Sequence, residues 1–228
     1  MTDTIVHLSP SNLNSWDELR KADEESPAWI NPTSFKEGIL GKFTPSVKAS
    51  AGNAVHGFVF ENHRFLEENG WKFKVQDEFE IFRTLFPYGK GIPEVSKTKY
   101  FPDKIDGCLV RISQRADYLA RNMITEMKTS SRSFGTKGTI SGFLQSPQSF
   151  SYTWTWGIPI RFLFAEIAIK EHDGVNWISL KKADHSTMYP CPESEQRLYD
   201  CVRTLIPYLK EDPDMWARVT GRTVQDEF

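Results

Sequence analysis

Apolar and polar residues alternate on both sides of Arg121-Asn122, the period-two signature of a β-hairpin. A turn centred there sets Asp117 opposite Glu126, and facing residues on paired strands share a face at about 5 Å between Cβ atoms. Lys128, two residues further on, joins the same face. The pattern predicts strands over Gly107–Leu119 and Met123–Lys128, and further strands over Trp71–Val75 and Glu78–Leu85. Ile160–Lys170 and Val175–Leu180 read as a second hairpin, because His172-Asp173-Gly174 carries the Asp-Gly turn signal. Helical spacing appears in four places. Ser9 caps a helix opened by Pro10 and running to about Ala22. Val55, Phe58, Val59, Phe65 and Leu66 mark a stripe on a helix that begins at Ala51 and stops at Gly70. Ser146-Pro147 opens a helix over Gln148–Trp156, and Glu193–Lys210 is amphipathic. The pattern leaves Glu24–Ser50 irregular, with at most one helical turn around Ser34–Leu40. Pro87–Asp106 and Thr129–Gly142 read as loops, the latter mobile, and a polar tail follows residue 210.

This order predicts one α/β domain over residues 1–228, with a mixed central β-sheet flanked by helices. Residues 1 to about 50 form an N-terminal helical embellishment, and about 193–210 a C-terminal helix. The length of 228 residues suits one large domain with a full core. A net charge of −2 excludes a globally basic nucleic-acid coat, though not a local basic groove. The three cysteines, Cys108, Cys191 and Cys201, lack the paired short spacings of a metal site and read as reduced thiols. There is no signal pattern at the N-terminus and no apolar run of about 20 residues. Those two features predict a soluble intracellular protein with no membrane partner.

Two carboxylates and an ammonium on one strand face are costly unless something binds there. A divalent ion such as magnesium takes oxygen ligands, and the Met127 carbonyl lies between the two charged residues to supply another. Such an ion lowers the pKa of a water and stabilises charge on a phosphate under attack, while a lysine beside it steadies the transition state. The arrangement suits phosphodiester hydrolysis. A cross-strand salt bridge on a solvated face, worth well under ~1 kcal/mol, is the structural alternative. His56 alone reads as a half-buried histidine, and Gln148 with Tyr152 as a helix surface pair. Pro102-Asp103 falls in a loop, and Asp106 before Gly107 reads as a turn residue. Lys128, Ser130, Arg132 and Lys137 lie in a stretch without acids, which suits either a phosphate-gripping loop or a solvated one. Tyr152, Trp154 and Trp156 suit base stacking or, for the tryptophans, core packing.

The ordered set of motifs resembles the RecB-like branch of the PD-(D/E)XK nuclease superfamily. Its elements are Ser9-x-Ser11-x-Leu13, Gly52-x-x-x-His56, Arg115-x-Asp117, Ile124-x-Glu126-x-Lys128-Thr129 and Gln148-x-x-x-Tyr152. They span roughly residues 9 to 170 in family order. The resemblance implies a restriction-endonuclease-like core and a magnesium- or manganese-dependent deoxyribonuclease. It assigns catalysis to Asp117, Glu126 and Lys128, and metal binding to His56, Asp117, Glu126 and the Met127 carbonyl. Gln148 and Tyr152 would steer the DNA strand, with Ser130, Arg132 and Lys137 as further DNA contacts. With too few cysteines for the iron–sulfur cluster that some members hold, none is expected. The expected activity is that of a stand-alone exonuclease in recombination, repair or replication, in the cytoplasm of a bacterium or a phage-infected host. DNA, single- or double-stranded, is the expected partner, and a single-strand-binding or annealing protein a candidate one. The alternatives are an endonuclease of the same fold and an inactive DNA-binding module.

Overall fold

A computed structural model describes residues 3–23, 26–28, 30–85, 91–131 and 140–221. Eight strands form one mixed sheet. They are β1 (Ile5–Leu8), β2 (Phe65–Glu68), β3 (Trp71–Val75), β4 (Ile92–Tyr100), β5 (Leu109–Ala120), β6 (Met123–Ser130), β7 (Ile160–His172) and β8 (Val175–Met188). The spatial order is β1-β5-β6-β7-β8-β3-β2, with β4 also paired to β5. Helices α1 (Pro10–Arg20), α2 (Pro32–Leu40), α3 (Val47–Glu61), α4 (Glu80–Leu85), α5 (Ile140–Leu144), α6 (Pro147–Trp156), α7 (Pro192–Glu211) and α8 (Pro213–Thr220) complete the described chain. The mixed α/β architecture expected from the pattern is present.

Alternation along the central strands assigns the two layers. On β7, Leu163, Ala165 and Ile167 pack with Val55 and Phe58 of α3, whereas Phe162 and Phe164 pack with Tyr152 and Trp156 of α6. Successive strand residues point to opposite faces, so α3 and α6 cover opposite sides of the sheet. A larger core joins α1, α2, α6, α7 and α8 to β1 and β5, through Leu13, Phe35, Trp154, Leu205 and Val219 among others.

Several boundaries differ from the expectation, each for a local reason. Ile5–Leu8 is a strand, pairing in parallel with Leu109–Ile112, so the first fifty residues contribute to the sheet as well as to helices. The segment read as irregular holds a full helix, α2, capped by the Asn31 side chain, and α3 starts at Val47 behind Ser46. Helix α3 ends at Asn62, which takes the left-handed conformation (φ 63°), rather than at Gly70. Phe65 and Leu66 therefore belong to β2, and Gly70 serves the β2–β3 turn at φ 79°. The expected strand over Glu78–Leu85 is a 3₁₀ turn followed by α4, with Phe79 and Phe82 buried at helical spacing. The expected loop before Asp106 contains β4, whose residues are mostly exposed and so lack an apolar alternation. Residues 140–142 start α5, and the expected tail begins with α8, capped by Asp212. Asp106 and Gly107 do form a turn with positive φ.

Candidate phosphodiester-cleaving site

The β5–β6 turn is Arg121-Asn122, with Arg121 at φ 54°. Tyr118, Leu119 and Ala120 pair with Thr125, Ile124 and Met123, the register expected from the alternation. Beyond that point the ladder opens. The Asp117 N–H donates to Glu126 Oε2 at 3.2 Å, and the Met127 N–H donates to Asp117 Oδ2 at 2.6 Å. Two carboxylates thus accept from backbone N–H groups at the point where the ladder ends.

Glu126 is the centre of the cluster. Lys128 Nζ donates to its Oε1 at 2.8 Å, and the Tyr152 hydroxyl donates to the same oxygen at 2.6 Å. The Lys128 ammonium lies 5.6 Å from the Tyr152 ring centroid and 5.7 Å from that of Phe143. Tyr152 is held there because α6, capped at Ser146 and closed by left-handed Gly157, lies on β6 and β7. Burial, with the Glu126 charge adding to it, pushes the Tyr152 hydroxyl well above the ordinary phenol range, so it stays a donor.

His56 approaches from the opposite face. Its Nδ1 lies 3.6 Å from Asp117 Oδ1, too far for a hydrogen bond. Gly52 helps the approach: a Cβ at that position would lie 2.8 Å from Thr129 Oγ1, so with the Thr129 side chain as it stands a glycine is what lets α3 lie this close to β6. His56 follows one turn later on the same helix face. Burial holds its imidazole below the usual range, with Lys128 adding to that against Glu126 and the Met127 carbonyl. Asp117 is pushed the other way: burial and the neighbouring Glu126 carboxylate raise its carboxyl well above the ordinary value, against Lys128.

The structure therefore brings together Asp117, Glu126, Met127, Lys128, His56 and Tyr152. Among the described residues, however, no three His, Cys, Asp or Glu side chains are gathered closely enough to hold a metal ion. Lys128 is the cation that neutralises Glu126 here. Gln148 is half-buried one turn before Tyr152, and Ser130 is half-buried at the end of β6. Arg132 and Lys137 lie outside the described residues. Tyr152, Trp154 and Trp156 are all buried, so none offers an open face for base stacking. Cys108 and Cys201 are buried free thiols and Cys191 an exposed one. No described helix is long and apolar enough to cross a membrane.

Two residues near the site had no signal in the pattern. Glu94, in β4, takes φ 50° where the β4–β5 register passes over Asp117, and its charge is felt at His56. Its carboxylate lies 3.9 Å from the Arg115 guanidinium. Gln114 is 1 % exposed and donates to Ser151 Oγ at 2.6 Å, tying β5 to α6.

No family model matches the chain, and no curated protein sequence does. Among solved structures, that of the protein SSO0001 is similar with a TM-score of 0.51 at 13% identity, over 90% of this chain and 77% of that one. A protein from Eubacterium rectale, provisionally named an exonuclease, is similar with a TM-score of 0.49 at 13% identity, over 95% and 82% of the two chains. At such identities the likeness concerns the fold alone.

Proposed function

We propose that the chain is a divalent-metal-dependent deoxyribonuclease, an exonuclease that hydrolyses phosphodiester bonds at the β5–β6 fork. The observation that carries this reading is the convergence of Asp117, Glu126, Lys128, His56 and Tyr152 where the backbone ladder opens. A solvated salt bridge would sit on an intact ladder and exposed strand face. Here Glu126 is buried and Asp117 half-buried, and Asp117 is disfavoured in its ionised form by desolvation and by Glu126. A bound cation would relieve that repulsion. Magnesium or manganese suits a donor set of two carboxylates, the Met127 carbonyl and one neutral imidazole. Asp117, Glu126, Met127 and His56 would hold it, and when bound it would supply charge stabilisation at the phosphate and a more acidic water.

The remaining roles belong to the chain itself. Lys128 brings a positive charge beside the position of the scissile phosphate, where it offsets charge that builds up during attack. Tyr152 fixes the orientation of Glu126 through its buried hydroxyl, and Gln148 faces the incoming strand from the same helix. Gly52 keeps α3, and with it His56, against β6.

The test is digestion of end-labelled single- and double-stranded DNA with magnesium, with EDTA, and with the Asp117→Asn and Lys128→Gln proteins. Each substitution is expected to lower the rate by on the order of 10²–10³-fold or more, with native circular dichroism retained. Cleavage at the wild-type rate by Asp117→Asn would overturn the assignment. A covalently closed circle separates the exonuclease from an endonuclease of the same fold, since an exonuclease leaves it intact.

A further inference from the structure

The sheet face that carries Lys128 continues well beyond the helices that cover it. Lys128 is paired with Phe164 on β7, and Glu166, Ala168 and Lys170 follow on the same face at two-residue steps. Opposite Glu166 the β8 strand bulges, which sets both Lys181 and Lys182 across from one β7 residue. Lys181 Nζ reaches Glu166 only at 3.9 Å, and Lys182 reaches Asp184 only at 3.9 Å, so both ammonium groups stay open to solvent. Further out, one cross-strand row runs over four strands: Lys170 pairs with Trp177, Trp177 with Lys74, and Lys74 with Phe65. Lys74 Nζ sits 3.8 Å from the Trp177 ring centroid and 5.4 Å from that of Phe65, held between two aromatic rings. Phe65 itself is 66% exposed on the edge strand, its ring open to solvent beside the Lys74 ammonium. The opposite face of these strands is core: Phe73, Val75 and Ile178 pack under α3. The row is therefore not a folding by-product of a two-sided core.

We propose that this face is a binding track for single-stranded nucleic acid that leads to the β5–β6 fork, a proposal that rests on the nuclease reading for its direction but not for its chemistry. Four lysines, Lys170, Lys181, Lys182 and Lys74, supply the charge complementarity for a phosphate backbone. Phe65 supplies an aromatic plane at the far end on which a base stacks without regard to sequence. The Lys74–Trp177 stack fixes one ammonium at a defined height above the sheet, where a free lysine would wander. From the partner of Lys128 to Lys170 is six residues along β7, roughly 20 Å at the rise of a strand. An exposed row of this kind matches an extended single strand with accessible bases. A duplex, whose bases are stacked inside, has no use for Phe65.

The experiment measures binding of fluorescent dT20 and of a 20-base-pair duplex to the full chain in EDTA, by anisotropy over a salt series. The proteins compared are the wild type, the triple variant Lys170→Gln/Lys181→Gln/Lys182→Gln, Phe65→Ala and Phe65→Tyr. The expected result is tighter binding of dT20 than of the duplex. The triple variant should lose roughly tenfold or more in affinity, with a salt slope shallower by about 2, since each lost phosphate contact removes about 0.7 for a single strand. Phe65→Ala should lose on the order of tenfold with an unchanged slope, and Phe65→Tyr should recover it. An unchanged Kd and slope in the triple variant would overturn the track. So would a duplex bound as tightly as dT20, or a wild-type chain that dimerises through Phe65 and is monomeric as Phe65→Ala. Hydrolysis of bis(p-nitrophenyl) phosphate with magnesium, a substrate too small to reach the track, reads the fork separately. If it fails in all proteins while the binding losses stand, the nuclease reading falls and the track survives.

Discussion

The β7–β8 hairpin keeps its ladder from Ile160–Met188 to His172–Val175, with one bulge at Glu166/Ile167, whereas β5 and β6 pair over three residues and then part. In the first hairpin, carbonyl groups across the ladder satisfy the backbone N–H groups, and the side chains are left to the core and the surface. In the second, the N–H groups of Asp117 and Met127 donate to the side chains of Glu126 and Asp117 instead. Charged side chains there hold the backbone together and carry the candidate chemistry at once. A fork of this kind is how a sheet can keep one buried and one half-buried acid near each other.

The largest expected effect separates the two hairpins by their buried glutamates. Glu126→Ala removes the acceptor of the Asp117 N–H, of Lys128 and of the Tyr152 hydroxyl together. Stranding those groups should cost about 3–5 kcal/mol in urea unfolding. Glu166→Ala in the intact hairpin removes, among the described residues, the 3.9 Å approach of the half-exposed Lys181 and should cost under about 1 kcal/mol. Equal costs would mean that the fork is an ordinary strand pair.

A smaller effect concerns how α3 reaches the fork. Gly52→Ala places a methyl group against Thr129 Oγ1 at 2.8 Å and should cost about 1–3 kcal/mol. Adding Thr129→Ala should recover most of it, giving a coupling of roughly 1 kcal/mol or more in a double-mutant cycle. Additive effects would show that the glycine is not there for close approach.

Smaller again is the pH response of the fork without metal. The folded state holds the Asp117 proton above the ordinary carboxyl value, chiefly through burial and then through Glu126. Stability from this group is therefore complete below about pH 3.8 and is lost as pH rises through the raised folded pKa. Asn at this position cannot ionise, so Asp117→Asn should melt higher than the wild type at neutral pH in EDTA, and the gap should close toward pH 4. For a chain of this size each kcal/mol is about 2–4 °C in Tm. A gap that widened on acidification would reverse the sign and place a stabilising charge partner on Asp117.

How much of this was legible in the sequence follows the same division. The hairpin register, the caps at Ser9 and Ser146, the left-handed stop at Gly157 and the Asp173-Gly174 turn are local, and local patterns announce them. Counting outward from Arg121-Asn122 brought Asp117 near Glu126, though the two meet through a side chain and not as ladder partners. β1 was invisible because four residues carry too short a period, and β4 because its outer face is solvent and its inner face meets α6 through lysine stems. Glu94 could not be read at all. Its importance lies in a φ of 50° opposite Asp117, a property of the folded sheet. Nor could the sequence say that Lys128 and Tyr152 share one oxygen of Glu126, since that contact joins elements from separate parts of the chain.

The smallest expected effect lies in the two turns. Asp173 and Gly174 both take positive φ, 51° and 75°, and the glycine does so without a Cβ penalty. Arg121 takes φ 54° with a full side chain, a conformation that costs an L-residue about 1–2 kcal/mol. Part of that relief is cancelled by the extra freedom glycine has in the unfolded chain. Arg121→Gly should therefore gain about 0.5 kcal/mol, and Gly174→Ala should lose about 1 kcal/mol, both read from urea midpoints. The informative measurement is the cleavage rate of Arg121→Gly. If the fork is held by its own carboxylates, relaxing the turn three ladder pairs away leaves the rate unchanged. If the rate falls, strain at Arg121 is what spreads β5 from β6, and the fork is made at the turn rather than at Asp117.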